Sequence, residues 1–325
     1  MVKADGGRRA LKGKQHVVRR IEGKWRLTED FKLLLLMIPV LALVFVFSYL
    51  PLAGWRYAFY YYRPGFPLNR CEFVGLKWFH TLFGNSYQFS EIMRVLKNTI
   101  GISLLNMATS VFPVIFAIFL SEMKSLKFRK LVQITTTLPN FISWVLVYSF
   151  AFSMFSVDTG FFNRLLIRMG VVDSGINFLA SSSHIWLKMT VWNLWKSLGW
   201  SAIMYIAAIA GIDQELYEAA RIDGAGRFAQ IRYITVPGIL PTFFVLLMLS
   251  IGNMLNSGME QYYVFQNAMN KSSIEVLDLY VYNVGMTGSN FSLATAISIL
   301  KSIVSVLLLV IANTSSKLLR GESIL

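Results

Sequence analysis

The sequence predicts an all-α membrane protein with six transmembrane helices. Of its 325 residues, 55% are hydrophobic and only 15% are charged, whereas soluble domains carry about 25% charged residues. The apolar residues are grouped in runs near the length of a bilayer span, which is about 20 residues. We predict the spans at about residues 33–52, 98–120, 132–155, 185–210, 236–255 and 291–313.

The basic residues predict orientation and domain boundaries. The net charge is +14, and ten of the 31 Lys and Arg residues lie in residues 1–32. We therefore predict a basic cytoplasmic N-terminal tail at 1–32, near lipid headgroups, and a transmembrane domain at 33–325. With six spans, both termini and the loop at about 211–235 share one side, which collects 19 Lys and Arg residues against nine on the other side. The positive-inside rule makes that side the cytoplasm. The positive charge forms no groove-lining stripe, so nucleic-acid binding is not predicted.

The loop at about 211–235 is the longest polar segment between the two most apolar runs of the C-terminal half. Asp213 is placed to cap a helix that contains Ala219 and Ala220. Gly224 and the glycine two residues later interrupt helix propensity, so we expect two short helices with a bend between them. The small alanines allow a close approach, and Glu218 beside them offers an acceptor to a partner.

The spacing within this loop is specific. Glu-Ala-Ala at 218–220 is followed after three residues by Gly224, and after nine more by Ile-Thr-Val-Pro at 234–237. This pattern resembles the "EAA loop" of the integral-membrane subunits of bacterial ABC importers, with Val236 where Leu is usual. Other segments share the resemblance across about residues 31–320, among them 74–79, 98–99, 138–144, 176–179, 195–200, 251–253, 280–285 and 294–302. They look like the polysaccharide branch of the maltose-type importer permeases, and within it the larger permease of an alginate-oligosaccharide importer.

The resemblance implies a type I ABC importer permease fold with a cytoplasmic coupling helix that docks on an ATPase subunit. It also implies a heterodimer with a second permease, two ATPase subunits, an extracytoplasmic solute-binding protein and an oligosaccharide substrate. The chain would be a multi-pass protein of the bacterial inner membrane with both termini in the cytoplasm. The residues that the resemblance assigns to ATPase coupling are Glu218, Ala219, Ala220, Asp223 and Gly224.

The sequence lacks the motifs of an enzyme. It has no G-x-x-x-x-G-K-[ST] motif, so we expect ATP and Mg²⁺ to be bound by the partner ATPases and no cofactor by this chain. It has no HExxH motif and no G-x-S-x-G turn. The three histidines are far apart, and the only cysteine is Cys71. Neither a catalytic nor a metal site is predicted.

Two lysines lie deep within predicted spans. Lys196 and Lys301 are each about ten residues from the outer end of their spans, and a lysine near mid-bilayer costs at least about 2.5–3.5 kcal/mol. Each should therefore face a cavity or a partner. Contact with an acidic substrate is one interpretation. An ion pair between subunits, or hydrogen bonds to carbonyls at a helix end, is the other.

Further polar and aromatic residues are candidates for the substrate path. Trp192 and Trp195 share a helical face with Lys196 and could stack on sugar rings, although packing or anchoring at the interface explains them as well. Asn253 and Asn256 near the outer end of span 5 could contact sugar or form interhelical hydrogen bonds. The full set of candidates is Trp192, Trp195, Lys196, Asn253, Asn256, Glu260 and Lys301.

We therefore predict the permease subunit of an ATP-driven importer that translocates an oligo- or polysaccharide, with an acidic, alginate-like substrate favoured by the lysines. The alternative is an ion-coupled secondary transporter of sugars or other small solutes. That class predicts carboxylates buried within the spans, and none is clearly placed there. A membrane enzyme would need a catalytic constellation, which the sequence lacks.

Overall fold

The computed structural model describes residues 33–320, without the side chains of residues 315, 316 and 318–320. The predicted tail at 1–32 and residues 321–325 lie outside the described residues. Contacts divide the chain into two units, with the boundary between Arg56 and Tyr57. The predicted boundary at 32/33 coincides with the start of the described residues and stays a prediction.

The described residues are helical, apart from turns and one isolated antiparallel bridge between Tyr60 and Phe73. The longest helices run between loops as predicted, and several short ones fill the segments between them. The helices are α1 Leu33–Phe59, α2 Lys77–Gly84, α3 Ser86–Ala108, α4 Val111–Ser121, α5 Leu126–Thr137, α6 Trp144–Phe155, α7 Phe161–Arg168, α8 Ile185–Ala210, α9 Gln214–Ile222, α10 Arg227–Gln230, α11 Val236–Gly252, α12 Glu260–Phe265, α13 Lys271–Ile274, α14 Leu277–Tyr282 and α15 Phe291–Arg320.

The second span begins about three turns earlier than the predicted 98–120. It runs over Ser86–Ser121 as α3 followed by α4. Asn85 starts it, because its side-chain oxygen accepts hydrogen bonds from the N–H groups two and three residues on, at 2.9 and 3.3 Å. The first turns are polar, which hid them from the hydrophobic pattern. The positive charge of Arg94 in these turns is paired within the protein, because its Nη2 lies 2.7 Å from a carboxylate oxygen of Glu275.

The third predicted span, 132–155, is not one kinked helix. Leu126–Phe141 and Trp144–Phe155 meet at a bend of 105°. The α-helix ends at Thr137 and gives way to a 3-10 turn, Leu138–Phe141, which contains Pro139. Proline donates no backbone hydrogen bond and so disfavours a continuous helix. Ser143 then caps the new helix by accepting a hydrogen bond from the N–H of the third residue on, at 3.4 Å. The result is a broken span or a re-entrant segment.

The structure supports fewer membrane spans than the six that the sequence predicts. Within residues 33–320, four helical segments are long and apolar enough to cross a membrane, and a fifth is added if the broken pair is one span. The remaining candidate is α8, whose bounds match the predicted 185–210. Its 26 residues reach about 39 Å, but it is more polar and carries Lys188 and Lys196. Six spans therefore remain a prediction.

Helix α8 lies at the centre of the second unit. It packs against α3, α4, α5 and α11. Gly199 permits the closest approach, because a Cβ atom there would lie 2.4 Å from backbone atoms of Thr136 in α5. Ala202 and Tyr205 bury their side chains against α4 and α11 in an apolar cluster. The interior of the unit is thus organised around one helix that touches most of its neighbours.

The segment at about 258–291, predicted to lie outside the membrane, contributes to the core. It contains α12, α13 and α14, and its side chains Ile274, Val276 and Leu279 are fully buried. They pack with Ile102 of α3 and Met189 of α8. This segment is therefore a folded part of the second unit.

Candidate functional site

The loop between α8 and α11 folds into two short helices joined by a left-handed glycine, as predicted. Asp213 caps α9, since its Oδ1 accepts a hydrogen bond from the backbone N–H two residues on at 3.0 Å. At the other end, Gly224 has φ +78°. The N–H of Ala225 donates to the carbonyl of Ala220 at 2.8 Å, and that of Gly224 to Arg221 at 3.1 Å. This pairing is a Schellman motif, which places a left-handed residue just past the helix.

The residues predicted for ATPase coupling are accessible. Glu218, Ala219, Asp223 and Gly224 are exposed, and Ala220 is half-buried. The Glu218 side chain forms neither a hydrogen bond nor an ion pair with any residue of the described range 33–320. The structure therefore leaves this acceptor available to another protein.

Two large apolar side chains lie on the same loop without cover from the described part of the chain. Ile222 ends α9 and is 87% exposed, and Phe228 in α10 is 89% exposed. Exposed apolar patches bordered by polar residues mark interaction sites. The loop thus presents a mixed surface of carboxylates, small residues and two exposed apolar side chains.

The loop is mechanically joined to α11. The hydroxyl groups of Tyr217 in α9 and Thr235 lie 2.9 Å apart within hydrogen-bonding distance. Ile212 packs so closely on Gly238 of α11 that a Cβ atom on that glycine would lie 2.5 Å from it. Helix α10 continues through a π-helical turn, Ile231–Thr235, directly into α11. The loop is therefore connected to α11 by side-chain contacts and by a continuous helical backbone.

A polar cavity of about 530 Å³ lies between α3, α8 and α11. Among the described residues that line it, no side chain is charged. Hydroxyl and carboxamide groups supply its polarity, and Trp200 adds an aromatic wall. These polar residues are Ser103, Asn106, Thr109, Ser110, Asn193, Ser197, Ser201, Ser250, Asn253, Asn256 and Ser257.

The spacing on α8 explains this polarity. Asn193, Ser197 and Ser201 are four residues apart and lie on one face of the helix. The Asn193 amide donates to the Asn106 side-chain oxygen of α3 at 3.4 Å, which joins the two walls. Hydroxyl and carboxamide groups both donate and accept hydrogen bonds. Such a lining is suited to a ligand with many neutral hydroxyl groups, and it presents no fixed charge.

Two of the seven predicted substrate-path residues, Asn253 and Asn256, line this cavity. Trp192 and Trp195 lie on another face of α8 and line a separate apolar cavity of about 570 Å³. Trp195 stacks on Phe150 with ring centroids 6.1 Å apart. The tryptophans therefore take part in aromatic packing, the second of their two interpretations.

Lys196 is held by the broken span. Its ammonium group donates to the carbonyl oxygens of Pro139 at 3.3 Å and Asn140 at 2.7 Å. It also lies 5.5 Å from the ring centroid of Trp144. Glu260, a further predicted residue, is exposed and close enough to act on Lys196 electrostatically. Of the interpretations offered for Lys196, the geometry favours hydrogen bonds to carbonyls at a helix end.

Lys301 forms an ion pair with Asp278 of α14. This partner belongs to the same chain, whereas the sequence suggested an acidic substrate, an ion pair with another subunit or carbonyls at a helix end. Sequence reasoning missed Asp278, although a signal existed. A lysine deep in span 6 needs a counter-ion, and Asp278 is one of two carboxylates within 26 residues before it.

Sequence reasoning also missed the ion pair between Arg94 and Glu275, which connects α3 to the segment that contains α13 and α14. Besides its contact with Glu275, Arg94 donates to the carbonyl of Ser272 at 2.6 Å. The side chain of Glu275 is 4% exposed and accepts a second hydrogen bond from Asn283 at 2.7 Å. This network anchors the segment that also carries Asp278.

Comparison with known proteins places the chain in a family. Residues 109–320 match the family model described as a binding-protein-dependent transport system inner membrane component. The chain belongs to this family. Protein LplB of Bacillus subtilis (strain 168) is 37% identical over 292 residues, which cover 90% of this chain and 90% of LplB. The polygalacturonan/rhamnogalacturonan transport system permease protein YteP of the same organism is 37% identical over 300 residues, which cover 92% of each chain.

The fold of this transport component is also found in a solved structure. A chain of a bacterial alginate ABC transporter, in complex with alginate pentasaccharide-bound periplasmic protein, superposes with a TM-score of 0.79 at 30% identity. The match covers 91% of this chain and 98% of that chain. The prediction of an all-α ABC importer permease, a non-enzymatic translocation subunit of the inner membrane, is confirmed. The orientation of the termini and the domain boundaries stay predictions.

Proposed function

We propose that this chain is one of two permease subunits of an ATP-driven importer of uronate-containing oligosaccharides. Its partners would be a second permease, two ATPase subunits and an extracytoplasmic solute-binding protein. The family description supports the dependence on a binding protein. The similarity to a chain of the alginate transporter supports an assembly of this kind.

The observation that carries the proposal is the polar cavity beside α11. This helix contributes Ser250 to the cavity wall near one end, where Asn253 follows it, and continues into the exposed loop at the other end. One rigid element therefore joins a hydroxyl-compatible cavity to a surface suited to a partner protein. An ATPase that moved α9 would move the cavity wall.

Relatives of the chain support the acidic class of substrate. YteP is named for polygalacturonan and rhamnogalacturonan, and the solved transporter for alginate, all of which contain uronate units. The cavity of this subunit recognises hydroxyl groups and is uncharged in its described lining. Lys196 and Lys301 have partners within the chain, so selection for the carboxylate groups falls to the binding protein or the second permease.

The coupling residues keep the roles that the EAA pattern gives them. Glu218 and Asp223 would meet polar groups of the ATPase, and Ala219 and Ala220 would allow close backbone approach. Gly224 would fix the bend between α9 and α10. In this proposal the loop and both termini lie in the cytoplasm, and the polar cavity receives substrate from the opposite side.

The test is uptake by the complete complex reconstituted in vesicles with its binding protein. Oligogalacturonates and oligomannuronates are compared with neutral malto-oligosaccharides of equal length. We expect ATP-dependent uptake of at least one acidic series. Asn256→Ala should raise the half-saturation concentration, because its side chain lines the cavity and no described residue bonds to it. Asn69→Ala, at an exposed position outside the cavity, is the matched control. Exclusive uptake of neutral sugars would refute the substrate class, and equal kinetics in both variants would refute the cavity assignment.

A further inference from the structure

The Asp278 side chain bridges two parts of the structure. One of its oxygens pairs with the ammonium group of Lys301 in α15. The other accepts a hydrogen bond from the backbone N–H of Gly258 at 2.8 Å. Gly258 has φ +72° and ends the turn that connects α11 to α12. An ion pair between α14 and α15 is thereby connected to that turn.

The same turn forms part of the cavity wall. Asn253, Asn256 and Ser257 all line the polar cavity. On the side facing α3, the Ser103 hydroxyl donates to the carbonyl of Met254 at 2.7 Å, and it lies 3.3 Å from the Ser257 hydroxyl. The turn is therefore held at two points, by Ser103 near its middle and by Asp278 at its end.

We propose that Asp278 and Lys301 are positioning residues for the substrate path. Lys301 pairs with the Asp278 carboxylate and orients it, and that carboxylate fixes the turn that presents two asparagines and a serine to the cavity. A hydrogen bond to a charged acceptor is stronger than one to a neutral acceptor. The ion pair is partly buried, so removal of one member leaves the other charge without its partner. The inference rests on the proposed function of the cavity, and it gives Lys301 a role that involves no contact with substrate.

The experiment compares three variants of the complete complex in reconstituted vesicles. Lys301→Met leaves Asp278 without its counter-ion and should raise the half-saturation concentration for oligosaccharide by about tenfold. Lys301→Met combined with Asp278→Asn removes both charges but keeps an oxygen that accepts from Gly258, so we expect recovery to within about threefold of wild type. Lys301→Met combined with Asp278→Ala lacks that acceptor and should not recover.

A matched control separates positioning from general stability. Glu275→Gln weakens the other ion pair of the same segment, the one with Arg94, which has no hydrogen bond to the cavity turn. It should lower the amount of assembled complex and leave the half-saturation concentration unchanged. If the Lys301 variants likewise changed only the amount of complex, the positioning role would be refuted. A second outcome would also refute it. If Lys301→Met and the double variant Lys301→Met/Asp278→Asn both lost uptake of acidic sugars to the same extent and kept uptake of neutral sugars, Lys301 would contact the substrate itself.

A second readout does not depend on transport. Asn256→Cys in a Cys71→Ser background reports the position of the turn through its rate of reaction with a water-soluble maleimide. Lys301→Met should change that rate, and the Asn double variant should restore it. If wild-type vesicles showed no uptake while these rates followed the expected order, the proposed function would fail and the positioning role would stand. Equal rates in all variants would overturn the positioning role.

Discussion

Replacement of Gly224 isolates the contribution of one backbone conformation to coupling. The residue has φ +78°, and a Cβ atom added there would meet nothing within 4 Å. Its substitution by serine therefore causes no clash and carries only the cost of the left-handed conformation. That cost is roughly 1–2 kcal/mol for residues with a side chain. Asparagine tolerates this region better than most residues.

This magnitude sets the expected loss of coupling. A cost of 1–2 kcal/mol lowers the population of the capped loop about 5- to 30-fold relative to loop conformations in which residue 224 is not left-handed. If the ATPase docks only on the capped loop, its affinity for the permease pair should fall by a similar factor. The assay measures association of the ATPase with permeases in lipid nanodiscs, and uptake by the reconstituted complex. Gly224→Asn should lie between wild type and Gly224→Ser.

Gly226→Ser provides the matched control. Gly226 precedes α10 with φ −69° and ψ 169°, a conformation open to any residue, and its Cβ position is also free of contacts. Serine is a favourable N-cap residue, so this variant should bind the ATPase as tightly as wild type. Equal binding by Gly224→Ser and Gly226→Ser would show that the left-handed bend is unnecessary, and the argument for the loop would fail.

Three further outcomes follow from the structure. Glu218→Ala should leave the melting temperature of the permease pair unchanged, since the Glu218 side chain has no partner among the described residues, and it should lower uptake. A lowered melting temperature would show a structural role instead. Lys196→Met should destabilise the permease by about 1–3 kcal/mol, because it removes the charged donor to two partly buried backbone carbonyls. The ratio of acidic to neutral uptake should not change, and a changed ratio would return Lys196 to the substrate path. The third outcome concerns orientation and uses a Cys71→Ser background. A cysteine that replaces Ala225 should react with an impermeant maleimide only from the cytoplasm, and a cysteine that replaces Ser182 should react only from outside. The reverse pattern would contradict the predicted orientation.

Local signals in the sequence predicted local structure well. The bounds of α8, the Asp213 cap and the bend at Gly224 all depend on residues within a few positions of one another. The spacing at 218–237 was long enough to identify the family that the comparisons confirm. Each of these features is fixed by backbone conformation and hydrogen bonds within one segment.

Contacts between distant segments could not be read in the same way. The pair of Lys301 with Asp278 depends on how α14 packs on α15, and that of Lys196 with backbone carbonyls depends on the 105° bend. Helical spacing placed Trp192, Trp195 and Lys196 on one face, but the neighbours of that face differ along α8. A search for hydrophobic runs also could not place the polar first turns of α3 in the span. The charge of Arg94 in these turns is paired with Glu275, which is far away in sequence.

The most direct test of the central claim is the energy source of uptake. Vesicles that contain the complete complex are loaded with ATP or with a non-hydrolysable analogue, and ion gradients are collapsed with ionophores. We predict that oligosaccharide uptake requires hydrolysable ATP and binding protein and survives loss of the gradients. Uptake driven by an ion gradient without ATP would contradict the account and favour a secondary transporter.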